Sequence, residues 1–438
     1  MRRTPARMSA RKAFSAFRTD PLGLFTQVAA APDGVAVTGV LGRELTFITH
    51  PDHVARVLRD NHRNYTKDAP VYRAARPFLG SGLTVSPGGD DWLRRRRLVQ
   101  PAFGPQSLAI ATRITEECLG DLADRWAATA ERSGTVDASA EMSTLSMRLA
   151  CRTLFGTELT DETAAVAADL RVVCDFVVRY LARPFPPLFV PTAANRRFHA
   201  AMRRVRAAIA ALVARPSTEL IARLVADAES GGSTREQVAD ELLGLFFAGH
   251  ETLGHTLAWC WQLLATHPDQ AAALRTEIDT VAGGRAPTVA DLPALAHTRR
   301  VVEEAMRLYP VVWIMMRRAV ADDTVGGYPV AAGSWLAWSP YVGNRHPDVW
   351  PRPDDFWPGR FTEEHGRGTA YRRHSLAPFG LGPRACPGSS LAMTQACLTV
   401  ATLARRCRVT PVPDGPVRPD PSITLRPAGP LPLRLAAG

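Results

Sequence analysis

The sequence predicts a mainly α protein with a small β component, folded as one large helical domain over residues 1–438 with small sheets beside it. Three observations predict it. From about Asp52 to Leu308 apolar residues recur at helical spacing, broken at proline- and glycine-rich points such as "RPFPPLFVP" (183–191) and "ESGGST" (229–234). Strand-like alternation is confined to Val35–Ile48, "VAVTGVLGRELTFI", and to short pieces after Pro310. No repeat or low-complexity linker marks a boundary, and residues 1–34 read as a lead-in to the domain.

Taken in order, the first element is the 35–48 segment, whose central glycine turn makes it a hairpin. Residues 240–265, "DELLGLFFAGHETLGHTLAWCWQLLA", are apolar nearly all round on both flanks, which predicts a long central helix. Its middle holds Glu251 and Thr252, preceded by the small residues Ala248 and Gly249. Burying a carboxylate and a hydroxyl without partners is costly, so two readings stand at this point. One is a core helix with a single acid reaching solvent. The other is a proton-delivery pair beside a flat ligand that Ala248 and Gly249 admit close to the backbone. Thr252 is expected to bond back to the carbonyl four residues earlier and to distort the helix there. His250 and His255 read as packed or hydrogen-bonded histidines rather than metal ligands.

Further on, "EEAMRLYP" sets Glu304 and Arg307 on one helical face, a pattern that says little alone. Arg360 in "DDFWPGRF" would complete a carboxylate–guanidinium cluster and fix the loop that follows. That loop is "APFGLGPRACPG", Ala377–Gly388, where three glycines and three prolines surround Cys386. A helix, "SSLAMTQACLTVATLARR", comes directly after it, and the start of a helix favours a thiolate. A bend at Gly380, Gly382 and Pro383 would aim amides at the sulfur, which suits a thiolate donated to iron. The chain from Pro411 onward reads as loops with short strands.

Composition bounds the function. With 46% hydrophobic and 22% charged residues the chain is ordinary globular protein. No segment is apolar and long enough to span a bilayer, and "MRRTPARMSARKAFSAFRTD" lacks the apolar core of a secretion signal. The expectation is a cytoplasmic protein without a membrane anchor. Seven cysteines without a C-x-x-C pair argue against a disulfide framework or zinc ribbon. The net charge of +11 does not point to nucleic acid: only Lys12 and Lys67 are lysines, and the arginines spread over the whole chain. An acidic protein partner is the better use of a basic patch.

The pattern Phe379-x-x-Gly382-x-Arg384-x-Cys386-x-Gly388 resembles the heme-binding signature of the cytochrome P450 family. At this chain's own residue frequencies it arises by chance at roughly 10⁻⁴ per chain. Its companions fall in family order: "WLRRR" with Trp92 and Arg96, "AGHET" on the long helix, "EAMR" with Glu304 and Arg307, and "FWPGRF" with Phe356, Pro358 and Arg360. The resemblance runs from about residue 35 to the end. It implies the P450 fold, with heme b between the long central helix and the cysteine loop. It makes Cys386 the axial iron ligand, shielded by Phe379, and sets Ala248, Gly249 and Gly388 against the heme. Trp92, Arg96, Arg384 and Arg317 would hold the propionates, with Arg318 the competitor of Arg317. Glu251 and Thr252 become the catalytic acid–alcohol pair, and Glu304, Arg307 and Arg360 a structural cluster. Four positions depart from the family pattern: Leu253 for a usual Thr or Ser, Asn344 for a frequent His, Gly359 for Glu, and Pro387 directly after the cysteine.

The activity so implied is that of a monooxygenase inserting one atom of O₂ into a C–H or C=C bond of a hydrophobic small molecule in bacterial secondary metabolism. The chain leaves no room for a reductase after Cys386. Electrons from NAD(P)H are therefore expected through a separate ferredoxin and ferredoxin reductase, docking where Arg94, Arg95, Arg405 and Arg406 lie, on a monomeric protein. The substrate pocket is expected along Asp68–Leu83, Phe176–Phe198, Leu245–Ala248 and Val311–Met316, stretches that are largely apolar. Two rivals are a peroxide-driven or redox-neutral heme-thiolate enzyme and a non-catalytic heme protein binding a small ligand. The intact Glu251–Thr252 pair favours the oxygenase.

Overall fold

The alternating residues of 35–48 form the expected antiparallel hairpin, Val35–Val40 against Arg43–Ile48 with Val37 opposite Thr46. It belongs to a computed structural model that describes residues 4–40, 42–158, 161–182, 186–362, 376–412 and 417–438. The chain forms two compact units of interleaved segments, Met1–Arg73 with Glu303–Cys386, and Ala74–Val302 with Pro387–Gly438.

In the first unit the hairpin is the middle of a six-stranded sheet. Its order is Ala6–Arg7, Val35–Val40, Arg43–Ile48, Trp335–Trp338, Met315–Ala319, Tyr65–Thr66. Val35, Ile48, Leu336 and Trp338 pack one face of it with Val57 and Leu58 from the helical turn Arg56–Asp60. Beside the sheet lies the cluster expected from "EEAMR" and "FWPGRF". Glu304, Arg307 and Arg360 are all fully buried. The Glu304 carboxylate accepts Nε and Nη2 of Arg307 at 2.8 and 2.9 Å, Nε of Arg360 at 2.8 Å and the amide of Trp357 at 2.9 Å. The remaining guanidinium hydrogens go to backbone carbonyls. Arg307 reaches Asn344, Pro353 and Asp355, and Arg360 reaches Pro351, Arg352 and Asp355. Six carbonyl contacts to one stretch of irregular chain are how the cluster shapes residues 344–360, which have little regular structure of their own.

The second unit is built on the helix Arg235–Thr266. It starts with a capping box, in which the Thr234 hydroxyl accepts the Gln237 amide and the Gln237 side chain accepts the Thr234 amide. The proline- and glycine-rich break at 229–234 is therefore where one helix, Glu219–Glu229, ends and this one begins. The break at 183–191 falls between helices Asp161–Ala182 and Ala193–Ala214; its residues 183–185 lie outside those described. Against the long helix pack Ala138–Phe155 and Ser389–Arg406. Two small antiparallel sheets complete the unit: a three-stranded one of Thr135–Asp137, Pro432–Ala437 and Cys407–Pro411, and the hairpin Pro419–Pro421 with Leu425–Pro427. No described helix is long and apolar enough to cross a membrane.

Replacing Glu304 by Ala strands two buried guanidiniums without their shared anion. The expected loss is about 3–5 kcal/mol of unfolding free energy, read from denaturant midpoints. A loss below about 1 kcal/mol, the range of an exposed pair, would contradict this role for the cluster.

Candidate active site

The long helix is buried from Leu242 through Phe246 and again from Thr256 through Trp261, as a central helix should be. Between these stretches exposure returns at Ala248, Gly249, Glu251, Thr252 and His255. The Thr252 hydroxyl donates to the Ala248 carbonyl at 2.6 Å, as expected. The helix runs unbroken through this turn. Thr256 repeats the bond to Thr252 at 2.8 Å.

Both histidines of this stretch are occupied in the protein. Ser146 donates to the His250 carbonyl at 2.6 Å, and Ser143 Oγ lies 3.4 Å from its Nε2. Burial pushes the His250 imidazole down to about 4. His255 Nδ1 is 2.9 Å from the Thr424 hydroxyl, and burial, then the nearby Arg426 charge, pushes it down to about 3. The Thr424 hydroxyl also lies 3.3 Å from Glu251 Oε2. Among the described residues no group of three His, Cys, Asp or Glu could hold a metal ion.

Nearly three turns before Glu251 on the same helix, Asp240 and Glu241 are buried. Asp240 accepts the Ser81 amide at 2.8 Å, and Glu241 the Leu83 amide at 3.1 Å. Burial raises the Glu241 carboxyl to about 7, against the pull of that amide and of Arg95, whose Nη1 is 3.5 Å away. Sequence reasoning passed over this pair, although two adjacent acids opening an apolar run were the available signal.

In the helix Asp90–Val99, Trp92 is buried and Arg96 half-buried. Arg95 corrects an expectation: it is not on a docking face. It is 4% exposed, bonded to Asp91 at 3.0 Å and to the Ser81 carbonyl at 2.9 Å, turned inward to a buried acid. Arg94 is likewise committed, to both oxygens of Asp227 at 2.7–2.8 Å and to Asp91. Arg406 is exposed beside Asp124, and Arg405 is half-buried. Of the expected pocket stretches, Phe176 and Phe198 stack at 4.5 Å and Phe198 meets Phe78 edge-on at 5.2 Å, so they serve as core. The cleft of about 320 Å³ beside Phe176 is partly charged, with Asp175, Arg179 and Arg197 in its wall.

In the first unit, the Cys386 loop is two tight turns. Gly380 N–H donates to the Ala377 carbonyl at 2.9 Å, Ala385 N–H to Gly382 at 3.0 Å, and Cys386 N–H to Phe379 at 2.8 Å. Gly382 has φ +68°, and any Cβ there would collide with the Leu58 carbonyl. Of the described cysteines five are buried and Cys386 alone is exposed. The helix Ser389–Arg406 begins three residues after it, with Gly388 at its cap. Close by, Arg317 and Arg384 lie near enough that each guanidinium acts on the other. Burial first, then the Arg317 charge, pushes Arg384 down to about 10. Arg317 is 4% exposed and bonds the Tyr72 hydroxyl at 3.1 Å, with no carboxylate at salt-bridge distance among the described residues. Its neighbour Arg318 pairs with Asp68 at 2.9 Å, so Arg317 is the inward one. A buried and a half-buried cation close enough to act on one another fit a dianionic group such as a pair of propionates, and an exposed thiol ahead of a helix fits an iron ligand.

Comparison with known proteins decides the family. The family model for cytochrome P450 matches residues 14–432. This chain belongs to the cytochrome P450 family. Among its relatives, cyclooctatin synthase of Streptomyces melanosporofaciens is 38% identical over 87% of this chain and 84% of its own. Cyclooctat-9-en-7-ol 5-monooxygenase of the same organism is 35% identical over 94% and 90%. Pentalenene oxygenase of Streptomyces avermitilis is 32% identical over 95% and 93%. Among solved structures, CYP175A1 of Thermus thermophilus superposes with a TM-score of 0.80 at 27% identity, over 98% of this chain and 100% of that one. The P450 is thus a heme-iron monooxygenase of mainly α fold with small sheets.

The structure gives three of the P450's departures a physical reason. Asn344 is buried, donating to the Arg307 carbonyl at 3.1 Å while its own carbonyl accepts Arg307 at 2.9 Å. At Gly359 a Cβ would come within 2.6 Å of the Trp357 indole nitrogen, and that ring lies 5.1 Å from the Arg360 guanidinium. Leu253 is a buried core position on the helix.

The depressed His250 sets a pH dependence. An unfolded histidine titrates near 6.5, so between pH 6.5 and 4 the unfolded chain binds the extra proton and stability falls with pH. A His250→Gln variant should lose less stability than the parent across that window, read from denaturant midpoints at pH 7 and 4.5. Equal losses would mean that His250 does not stay neutral.

Proposed function

We propose that the P450 is a heme b-thiolate monooxygenase acting on a terpenoid, fed by a separate ferredoxin and its reductase. The observation that carries this reading is Cys386: an exposed thiol on a loop that Gly382 locks against the Leu58 backbone. The names of the Streptomyces relatives, a cyclooctat-9-en-7-ol 5-monooxygenase and a pentalenene oxygenase, support the substrate class.

When bound, the heme supplies the reduction of O₂ and the transfer of one oxygen atom to a C–H bond. Cys386 Sγ is the ligand that would hold its iron, with Phe379 and Gly388 beside it. Arg317 and Arg384, together with Trp92 and Arg96, would hold the propionates. Ala248 and Gly249 leave room at the backbone for a flat ring system. Thr252 holds a proton on Oγ1, parked on the Ala248 carbonyl, and Glu251 replenishes it from Oε2. Leu245 and Phe246, buried on the same helix, keep the run leading into this turn apolar. Arg405 and Arg406 are what the structure leaves of the docking patch first expected to include Arg94 and Arg95.

The reduced, carbon-monoxide-treated protein should show the strongly red-shifted Soret band of thiolate ligation, and Cys386→Ser should lose it. A globin-like band in the parent would overturn the ligand assignment. Titration with cyclooctat-9-en-7-ol or pentalenene should shift the spin state of the ferric protein; no shift with either, against a shift with a fatty acid, would overturn the terpenoid class. Thr252→Ala should keep that spin-state response but lower product formed per electron at least about ten-fold, the balance appearing as hydrogen peroxide. An unchanged yield would remove Thr252 from proton delivery.

A further inference from the structure

Thr424 stands between Glu251 of the Glu251–Thr252 pair and His255, both far from it in sequence. Its hydroxyl is 3.3 Å from Glu251 Oε2 and 2.9 Å from His255 Nδ1. A hydroxyl has one hydrogen to donate, and an ionised carboxylate only accepts. With Glu251 ionised, Thr424 must donate to Oε2, and the second contact holds only if His255 carries its hydrogen on Nδ1 and donates to Thr424. One hydroxyl therefore ties the orientation of the carboxylate to the tautomer of the imidazole.

The arrangement is built rather than incidental. Thr424 is 5% exposed, at the tip of the hairpin Pro419–Pro421 and Leu425–Pro427. That hairpin is pinned to the long helix by Trp259 Nε1, which donates to the Leu425 carbonyl at 3.0 Å. Burial and the Arg426 charge keep His255 neutral, so it has a tautomer to fix. Arg426 is itself held in place by Asp420 at 3.0 Å and Asp175 at 3.6 Å.

We propose that Thr424, oriented by His255, is a positioning residue for Glu251: it fixes the direction of the half-buried carboxylate, which takes up a proton from solvent and then passes it to Thr252. The inference rests on the proton-delivery reading of Glu251 given above. A hydrogen bond to one carboxylate oxygen limits the directions that oxygen can take. Without the hydroxyl Oε2 loses this contact, and proton delivery slows.

The test uses the heme-loaded, full-length chain and needs neither the native substrate nor the redox partner. Guaiacol oxidation driven by hydrogen peroxide requires a proton to move from one peroxide oxygen to the other, so it reads proton delivery. Thr424→Val should slow it at least five-fold and raise its solvent deuterium isotope effect, and Thr424→Ser should restore both. Independently of activity, nitrogen-15 spectra of the carbon-monoxide-bound reduced protein should show His255 with its hydrogen on Nδ1 in the parent and in Thr424→Ser, with that tautomer lost in Thr424→Val. A hydrogen on Nε2 in the parent, or a tautomer indifferent to Thr424→Val, overturns the proposal, as does an altered tautomer with an unchanged rate. Glu251→Gln separates the two levels. If it slows the reaction while Thr424→Val does not, the positioning role alone fails; if neither slows it, the proton-delivery reading of Glu251 fails and takes the inference with it.

Discussion

The carboxylate of Glu304 is the point on which the first unit depends. Two guanidiniums, Arg307 and Arg360, converge on it with no exposure to solvent. Taking three charges out of water offsets most of their mutual attraction, so such a cluster adds little net stability. What it adds is geometry. Each guanidinium has five hydrogens in a fixed plane, and those the carboxylate does not use are met by carbonyls of residues 344–355. Irregular chain that would otherwise have to satisfy its own polar groups is drawn into one conformation. Asn344 and Gly359 are consequences: one completes the bonding around Arg307, the other leaves room for the indole under Arg360.

A second cationic pair in the same unit behaves in the opposite way. Arg317 is buried and Arg384 half-buried close to it, yet Arg317 has a tyrosine hydroxyl and a backbone carbonyl where Arg307 has a carboxylate. The Glu304 cluster is neutralised internally, whereas Arg317 has no carboxylate at salt-bridge distance among the described residues. In a member of the P450 family, that difference separates a structural arginine from one suited to a cofactor's carboxylates.

The long helix of the second unit resolves a different tension. A central helix should be buried all round, and between Leu242 and Trp261 this one is, except at Phe247, Ala248, Gly249, Glu251, Thr252 and His255. Every polar side chain there has an answer nearby. Thr252 bonds its own helix, the His250 ring meets Ser143 of the adjacent helix, and Glu251 with His255 meets Thr424. The helix tolerates its polar turn because each group is satisfied in the protein.

The sequence by itself determined the helical class, the hairpin at 35–48, the cysteine loop, the bond from Thr252 back to Ala248 and the Glu304–Arg307 pair. These are local patterns, in which a residue's role follows from neighbours three or four positions away or from a turn that only glycine can make. Tertiary structure decided what local pattern leaves degenerate. In "WLRRR" and "MMRRA" adjacent arginines look alike on paper; only the fold turns Arg95 to a buried acid, Arg318 to Asp68 and Arg317 inward. Likewise nothing near Glu251 in the chain announces Thr424, which lies 173 residues away. A side chain's direction is fixed by what packs against it, and for these residues the packing partner comes from a distant part of the sequence.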